Sequence, residues 1–101
     1  MPALPDYIIS RGESGKKAYL AAKESDSHWL EAYPDYTPVL LNTKRYYILT
    51  IDIFPSKEEA LVWLHDFLNS DYESNYKFRK NTAGALILEN DSYLFFPLKK
   101  D

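Results

Sequence analysis

Gly12-Glu13-Ser14-Gly15-Lys16 is the first stretch of this chain whose residue types could do chemistry, because glycines followed by a lysine can wrap backbone N–H groups and an ammonium around a phosphate. Such a loop needs four residues between its glycines, a Ser or Thr after the lysine, a strand before it and a helix behind it. Here only Glu13 and Ser14 intervene, Lys17 follows, and the next segment alternates like a strand, so an ordinary hairpin turn is the reading. The two histidines, His28 and His65, form no His-x-x-x-His or similar metal-spaced pair. His65 falls on the flank of a helical pattern as a half-exposed surface group, and His28 abuts Trp29 as a local hydrogen-bonding group. The 15 acidic residues supply carboxylates, but no spacing singles out an acid–base pair, and the absence of cysteine removes thiolate catalysis, disulfides and Cys-based zinc sites together. No catalytic residue, metal ligand or cofactor is assigned, and the chain reads as a non-enzyme.

Two segments interleave cations with rings that could stack on bases: Lys44-Arg45-Tyr46-Tyr47, and Tyr76-Lys77-Phe78-Arg79-Lys80. Solvated edge strands give the same pattern, and a formal charge of −3, from 12 basic and 15 acidic residues, disfavours a broad basic face for nucleic-acid phosphate. That charge is also too dilute for a mimic of DNA.

The elements that would position these groups begin with Tyr7 to Ser10 and Lys16 to Lys23, read as a hairpin with Ala18, Leu20 and Ala22 on the buried side and Lys17, Tyr19 and Lys23 on the wet side. Glu24 to Pro38 reads as an irregular segment pinned by Trp29, Tyr33 and Tyr36, with room for a short helix over His28 to Ala32. Val39 to Leu41 suggests a short strand and Asn42 to Arg45 a turn. Tyr46 to Phe54 alternates with period two and is rich in β-branched and aromatic types, which predicts the central strand. Ser56, with Glu59 three residues on, forms a capping-box signature for a helix over 57–69, whose stripe of Ala60, Leu61, Leu64, Phe67 and Leu68 must lie on the sheet. Tyr72 to Asn81 reads as loop or edge strand. Ala85 to Glu89 and Tyr93 to Leu98 read as a closing hairpin turned at Asn90-Asp91-Ser92, with Pro97 at a strand end or edge.

The expected fold is therefore α+β: one domain over residues 1–101, a mostly antiparallel sheet of about five strands, and one main helix, residues 57–69, on one face. No apolar run approaches the roughly 20 residues that cross a bilayer, and the N-terminus lacks the pattern of a secretory signal, so a soluble, cytoplasmic protein is expected, with no membrane partner.

The junction Phe54-Pro55-Ser56-Lys57-Glu58-Glu59-Ala60 resembles a pattern recurrent in very small proteins of bacteria and their phages, in which two or three strands lead into one helix. The resemblance spans residues 46 to 69. It implies a sheet crossed by a helix and a prokaryotic or phage origin; such proteins share no single activity, and no functional residue is carried over.

The strongest functional signal is the aromatic content, nine Tyr, five Phe and two Trp, which one helix on one sheet face cannot shelter. Period two places Tyr46, Ile48, Tyr93 and Phe95, with Tyr19, on the reverse face as a partner-binding surface, unless residues 24–38 or a second protomer covers it. The leading expectation is a non-enzymatic protein-binding factor, on analogy a phage or mobile-element inhibitor of a host defence complex. The alternative is a single-stranded nucleic-acid or nucleotide-ligand binder using Lys44, Arg45, Tyr76, Lys77, Phe78, Arg79 and Lys80.

Overall fold

The computed structural model describes residues 6–70 and 81–98. In chain order the elements are β1 (Ile8–Arg11), α1 (Gly15–Ala32), β2 (Arg45–Phe54), α2 (Lys57–Asn69), β3 (Thr82–Leu88) and β4 (Ser92–Pro97). The four strands make one sheet in the order β1-β4-β3-β2, with β1–β4 and β3–β4 antiparallel and β2–β3 parallel. The parallel pair is what a strand–helix–strand crossover through α2 produces. The α+β class and the mostly antiparallel sheet stand, with four strands among the described residues and a second helix, α1, beside the expected one.

The α2 helix forms where its sequence signature puts it. Ser56 sits extended at the N-cap, its Oγ accepts from the Glu59 amide at 3.3 Å, and Glu58 and Glu59 lie in the first turn, where the helix dipole favours negative charge. Ala60 and Leu64 are fully buried, and with Leu61, Trp63, Phe67 and Leu68 they pack on Leu86, Leu88, Leu94, Phe96 and Leu98. The β3–β4 hairpin also forms as expected. Both central residues of its Glu89–Ser92 turn have positive φ (Asn90 63°, Asp91 57°), which short polar Asx side chains tolerate.

The expected N-terminal hairpin is overturned: Lys16 to Lys23 belongs to α1, an 18-residue helix, not to a strand. Ser14 is its N-cap, with Oγ accepting from the Lys17 amide at 3.2 Å. Over eight residues Ala18, Leu20 and Ala22 alternate, but the buried positions are Ala18, Tyr19, Ala22 and Asp26, the i, i+1, i+4, i+8 face of a helix, and Leu20 is half exposed. Alanine at 18 and 22 lets the helix lie close to the sheet. The loop before it is equally tight, since a Cβ on Gly12 would stand 2.5 Å from the Ala18 amide nitrogen.

With a helix on each side, the sheet has two cores. The α2 face is the aliphatic cluster above; the α1 face joins Ala18, Tyr19, Ala22, Leu40, Ala83, Ala85 and Phe95, with Tyr46, Ile48 and Tyr93 at its margin. The second core overturns the expectation of an open reverse face: Phe95 is fully buried and Tyr19 is 5% exposed, both sheltered by α1 of the same chain.

Two smaller expectations also change. Val39 to Leu41 is not a strand; Leu40 plugs the α1 core, and the turn after it closes through Thr43 N to Leu40 O at 2.9 Å. β2 is not central but lies at the sheet edge among the described residues, while β3 and β4, nearly continuous apolar runs buried on both faces, take the middle. The period-two pattern of β2 also breaks. Ile48 pairs with Ala85 and Ile53 with Ile87, so five steps along β2 match two along β3, and the strand bulges between them. Thr50 Oγ1 accepts from the Asp52 amide at 3.2 Å inside that bulge. The expected loop or edge strand over 72–81 lies outside the described residues, apart from Asn81.

Candidate functional site

Residues of the first turns of α1 and of the entry to β2 line an open cleft of about 320 Å³. Lys16, Tyr19 and Leu20 line it from α1; Lys44, Arg45 and Tyr46 line it from the other side. Each is placed by an element already described. Tyr19 is on the buried helical face beside Ala18, and its ring lies 5.1 Å from that of Tyr46 and 5.6 Å from that of Phe95. Tyr46 meets Phe95 edge-on at 5.9 Å and 84°, and its hydroxyl end lies over Gly15, where a Cβ would stand 2.9 Å from the oxygen. Glycine at 15 therefore makes room for the Tyr46 ring. Lys44 is fixed through its backbone, which donates to Asn81 O at 2.7 Å.

Hydrogen bonds hold the floor. Tyr19 Oη and Thr43 Oγ1 are 2.6 Å apart, and Thr43 Oγ1 donates to Leu40 O at 2.6 Å, so the Tyr19 hydroxyl is the donor of the first pair. Lys23 Nζ donates to Thr43 O at 2.7 Å and stands 5.5 Å from the centre of the Tyr19 ring, within cation–π range. The lining carries three cations and no carboxylate. The nearby exposed ion pair, Lys17 to Glu13 at 3.0 Å, involves neither Lys16 nor Lys44.

A second construction stands behind the cleft. Asp26 is fully buried on α1, and its carboxylate accepts from the Tyr36 hydroxyl and from three consecutive amides, Val39 (3.0 Å), Leu40 (2.7 Å) and Leu41 (2.9 Å). Burial pushes its pKa up, but the four donors outweigh burial and hold it below the usual 3.8. Tyr36 is pushed up to about 12 by burial, by its hydrogen bond to Asp26 and by the charges of Asp26 and Asp6. With every oxygen occupied, Asp26 fastens the 33–44 segment rather than exchanging protons.

A third region is the outer part of the sheet edge. Ile51 is 90% exposed, Ile53 61% and Tyr47 51%, all on β2. Trp29 and Tyr33 stack at 5.4 Å at the far end of α1, each about half exposed.

The residues expected to form one partner-binding face are thus divided. Phe95 and Tyr19 are core, Ile48 and Tyr93 are half-buried at its margin, and Tyr46 with the rim of Tyr19 reaches the cleft. Of the residues expected to touch nucleic acid, Lys44 and Arg45 line that cleft, while Tyr76, Lys77, Phe78, Arg79 and Lys80 lie outside the described residues. Sequence reasoning missed Lys16 and Leu20, which a helical reading of 15–32 would have set one turn apart, beside Tyr19. The glycine loop does run from a strand into a helix, but Ser14 Oγ occupies the Lys17 amide, so the loop caps its own helix. His65 contacts Asn69 at 3.2 Å on the surface of α2, His28 is exposed, and among the described residues no group of three His, Cys, Asp or Glu could hold a metal ion. No helix among the described residues is long and apolar enough to cross a membrane. No protein-family model matches this chain, and neither a curated protein nor a solved structure matches it.

Proposed function

We propose that this chain is a non-enzymatic factor that works by binding another protein, with the outer edge of β2 as the contact. The exposure of Ile51, at 90%, carries the reading, supported by Ile53 on the same strand. Edge strands are usually blunted by charge or proline, because their free N–H and C=O groups pair with any extended segment that meets them. From Ile48 to Ile53 this edge bears a single charge, Asp52, and the bulge leaves the run without a continuous ladder to β3. An extended segment of a partner laid along it would gain backbone hydrogen bonds and cover Ile51, whose burial is worth roughly 1.5–3 kcal/mol.

The resemblance of the 46–69 junction to very small bacterial and phage proteins extends this reading to a cytoplasmic factor of phage or mobile-element origin that blocks a host complex. The test passes the protein and its Ile51→Lys variant through a bacterial lysate and crosslinks what is retained. A partner crosslinked to β2 by the wild type and lost from the variant is the expected result. Identical retention by both, or a native mass showing that β2 pairs two copies of this chain, overturns it.

A further inference from the structure

We infer that the exposed aromatic surface at the C-terminal end of α1, built on Trp29 and Tyr33, is a docking site for arginine side chains of a basic protein segment. This goes beyond the reading of β2 as a contact and uses other residues. Three features converge. The rings are held in place and still wet: Trp29 stacks on Tyr33 at 5.4 Å and 22° and meets Tyr36 at 6.3 Å, Tyr36 is tied through its hydroxyl to the buried Asp26, and Trp29 and Tyr33 keep 51% and 57% exposure. The stack therefore presents π surface that a cation can reach without ordering the protein further. The surroundings are acidic: between Lys23 and Lys44 the chain carries Glu24, Asp26, Glu31 and Asp35 and no Lys or Arg, and all but Asp26 are exposed. The charge of Asp6 reaches Tyr36 as well, whereas the ammonium of Lys23 is turned to Thr43 O. Finally, α1 ends here with no basic residue in its last turn, and Pro34 lacks the N–H that a continuing helix would offer to Leu30 O, so the negative end of the helix has no cation of its own.

A guanidinium fits all three. It is planar and stacks on indole and phenol rings, it keeps its charge at any working pH, and its fork of N–H donors can meet a helix-end carbonyl and a carboxylate together. A lysine ammonium brings the charge but is more strongly hydrated and has no flat face to lay on the stack. An apolar segment would cover the rings yet strip water from Glu31 and Asp35 without pairing them, and a nucleic-acid strand would bring phosphates against the same carboxylates.

The test titrates the full chain at low salt with a short peptide of alternating arginine and serine, with the same peptide carrying citrulline or lysine in place of arginine, and with a single-stranded oligonucleotide, read by backbone amide shifts and by the Trp29 indole N–H. The arginine peptide is expected to bind with Kd below about 1 mM, to move the indole N–H and the amides of Trp29, Tyr33 and Tyr36, and to weaken about fivefold in Trp29→Leu and about twofold in Asp35→Asn. Asp35 is exposed in a turn that closes through Tyr36 N to Tyr33 O, and asparagine suits the same turn, so that variant keeps the fold even if Trp29→Leu does not. The citrulline peptide, similar in shape but neutral, should bind about fivefold more weakly, with the lysine peptide in between. The proposal is overturned if the arginine peptide does not bind, if the citrulline or lysine peptide or the oligonucleotide binds as tightly, or if the shifts lie elsewhere, such as around Glu58 and Glu59 at the start of α2. An Ile51→Lys variant should bind the arginine peptide like wild type, which separates failure here from failure at the sheet edge.

Discussion

Tyr19 and Ile51 are both residues that alternation alone would send outward or inward wrongly, and the structure reverses them: the tyrosine is 5% exposed and the isoleucine 90%. The contrast is between the α1 face of the sheet, closed by a helix and by the Asp26 hydrogen bonds, and the outer half of β2, which no described element covers. Whether an apolar residue is buried depends on what is available to lie on it. On the α1 face two alanines bring the helix close, and a buried carboxylate draws the following segment over the remaining gap. At the β2 bulge five steps of strand match two of its neighbour; Leu49 still packs on the α2 side, but Ile51 is carried away from both cores.

The largest expected effect comes from removing the carboxylate that holds the closed side shut. Asp26→Ala would leave three buried or half-buried amides and the Tyr36 hydroxyl without an acceptor and should destabilise the fold by about 3–5 kcal/mol, measured by urea unfolding. Loss of less than about 1 kcal/mol would mean that water replaces the carboxylate and the closed side is not closed. The same group sets an acid limit. Its folded pKa is lowered, so its contribution is present above the unfolded value near 3.8 and is lost as pH falls through the folded one. Tyr36 works in the opposite sense, with its folded pKa raised: its share holds below pH 10.0 and is lost as pH rises toward about 12. The difference in unfolding free energy between wild type and Asp26→Ala should therefore narrow as pH falls below about 4.

A medium effect tests the other core. Gly84 faces Phe96 on the neighbouring strand, and a Cβ there would stand 2.5 Å from the end of that fully buried ring. Gly84→Ala should cost about 1–3 kcal/mol through overpacking, and a Gly84→Ala/Phe96→Leu double variant should lose less than the two single changes together. Additive losses would show that the ring and the glycine do not compete for the same space.

The parts of this fold legible in the sequence are those whose determinants lie within a few residues of each other. Ser56 and Glu59 mark the start of α2, its stripe gives the buried face, and Asn90-Asp91 gives the hairpin turn. α1 was open to misreading because Lys16 to Lys23 is too short a window to separate period two from period 3.6. Extending the window to Asp26 does not help, because an aspartate at the i+8 position reads in sequence as a wet residue, but Ser14 is a cap signal in its own right. The Asp26 acceptor is of another kind, since its donors lie 10 to 15 residues downstream in a segment with no regular structure. The cleft was half legible: Lys44, Arg45 and Tyr46 stand together in sequence, whereas Lys16 and Leu20 join them only once α1 is a helix. The β2 bulge left no mark, for Tyr46 to Phe54 contains neither glycine nor proline.

The smallest expected effect sharpens the contrast most, because it uses one strand against itself. Ile48 and Ile51 are the same residue type three positions apart in β2; the first packs against the α1 core and the second stands in solvent. Ile48→Lys should cost about 2 kcal/mol by placing an ammonium beside Phe95 and Tyr46, whereas Ile51→Lys should change stability by less than about 0.5 kcal/mol. Equal costs at the two positions would mean that Ile51 is covered in solution, by this chain or by a second copy, and only a concentration-dependent unfolding midpoint would indicate the copy. A neutral Ile51→Lys that nevertheless releases a bound partner would give that residue a role folding does not require.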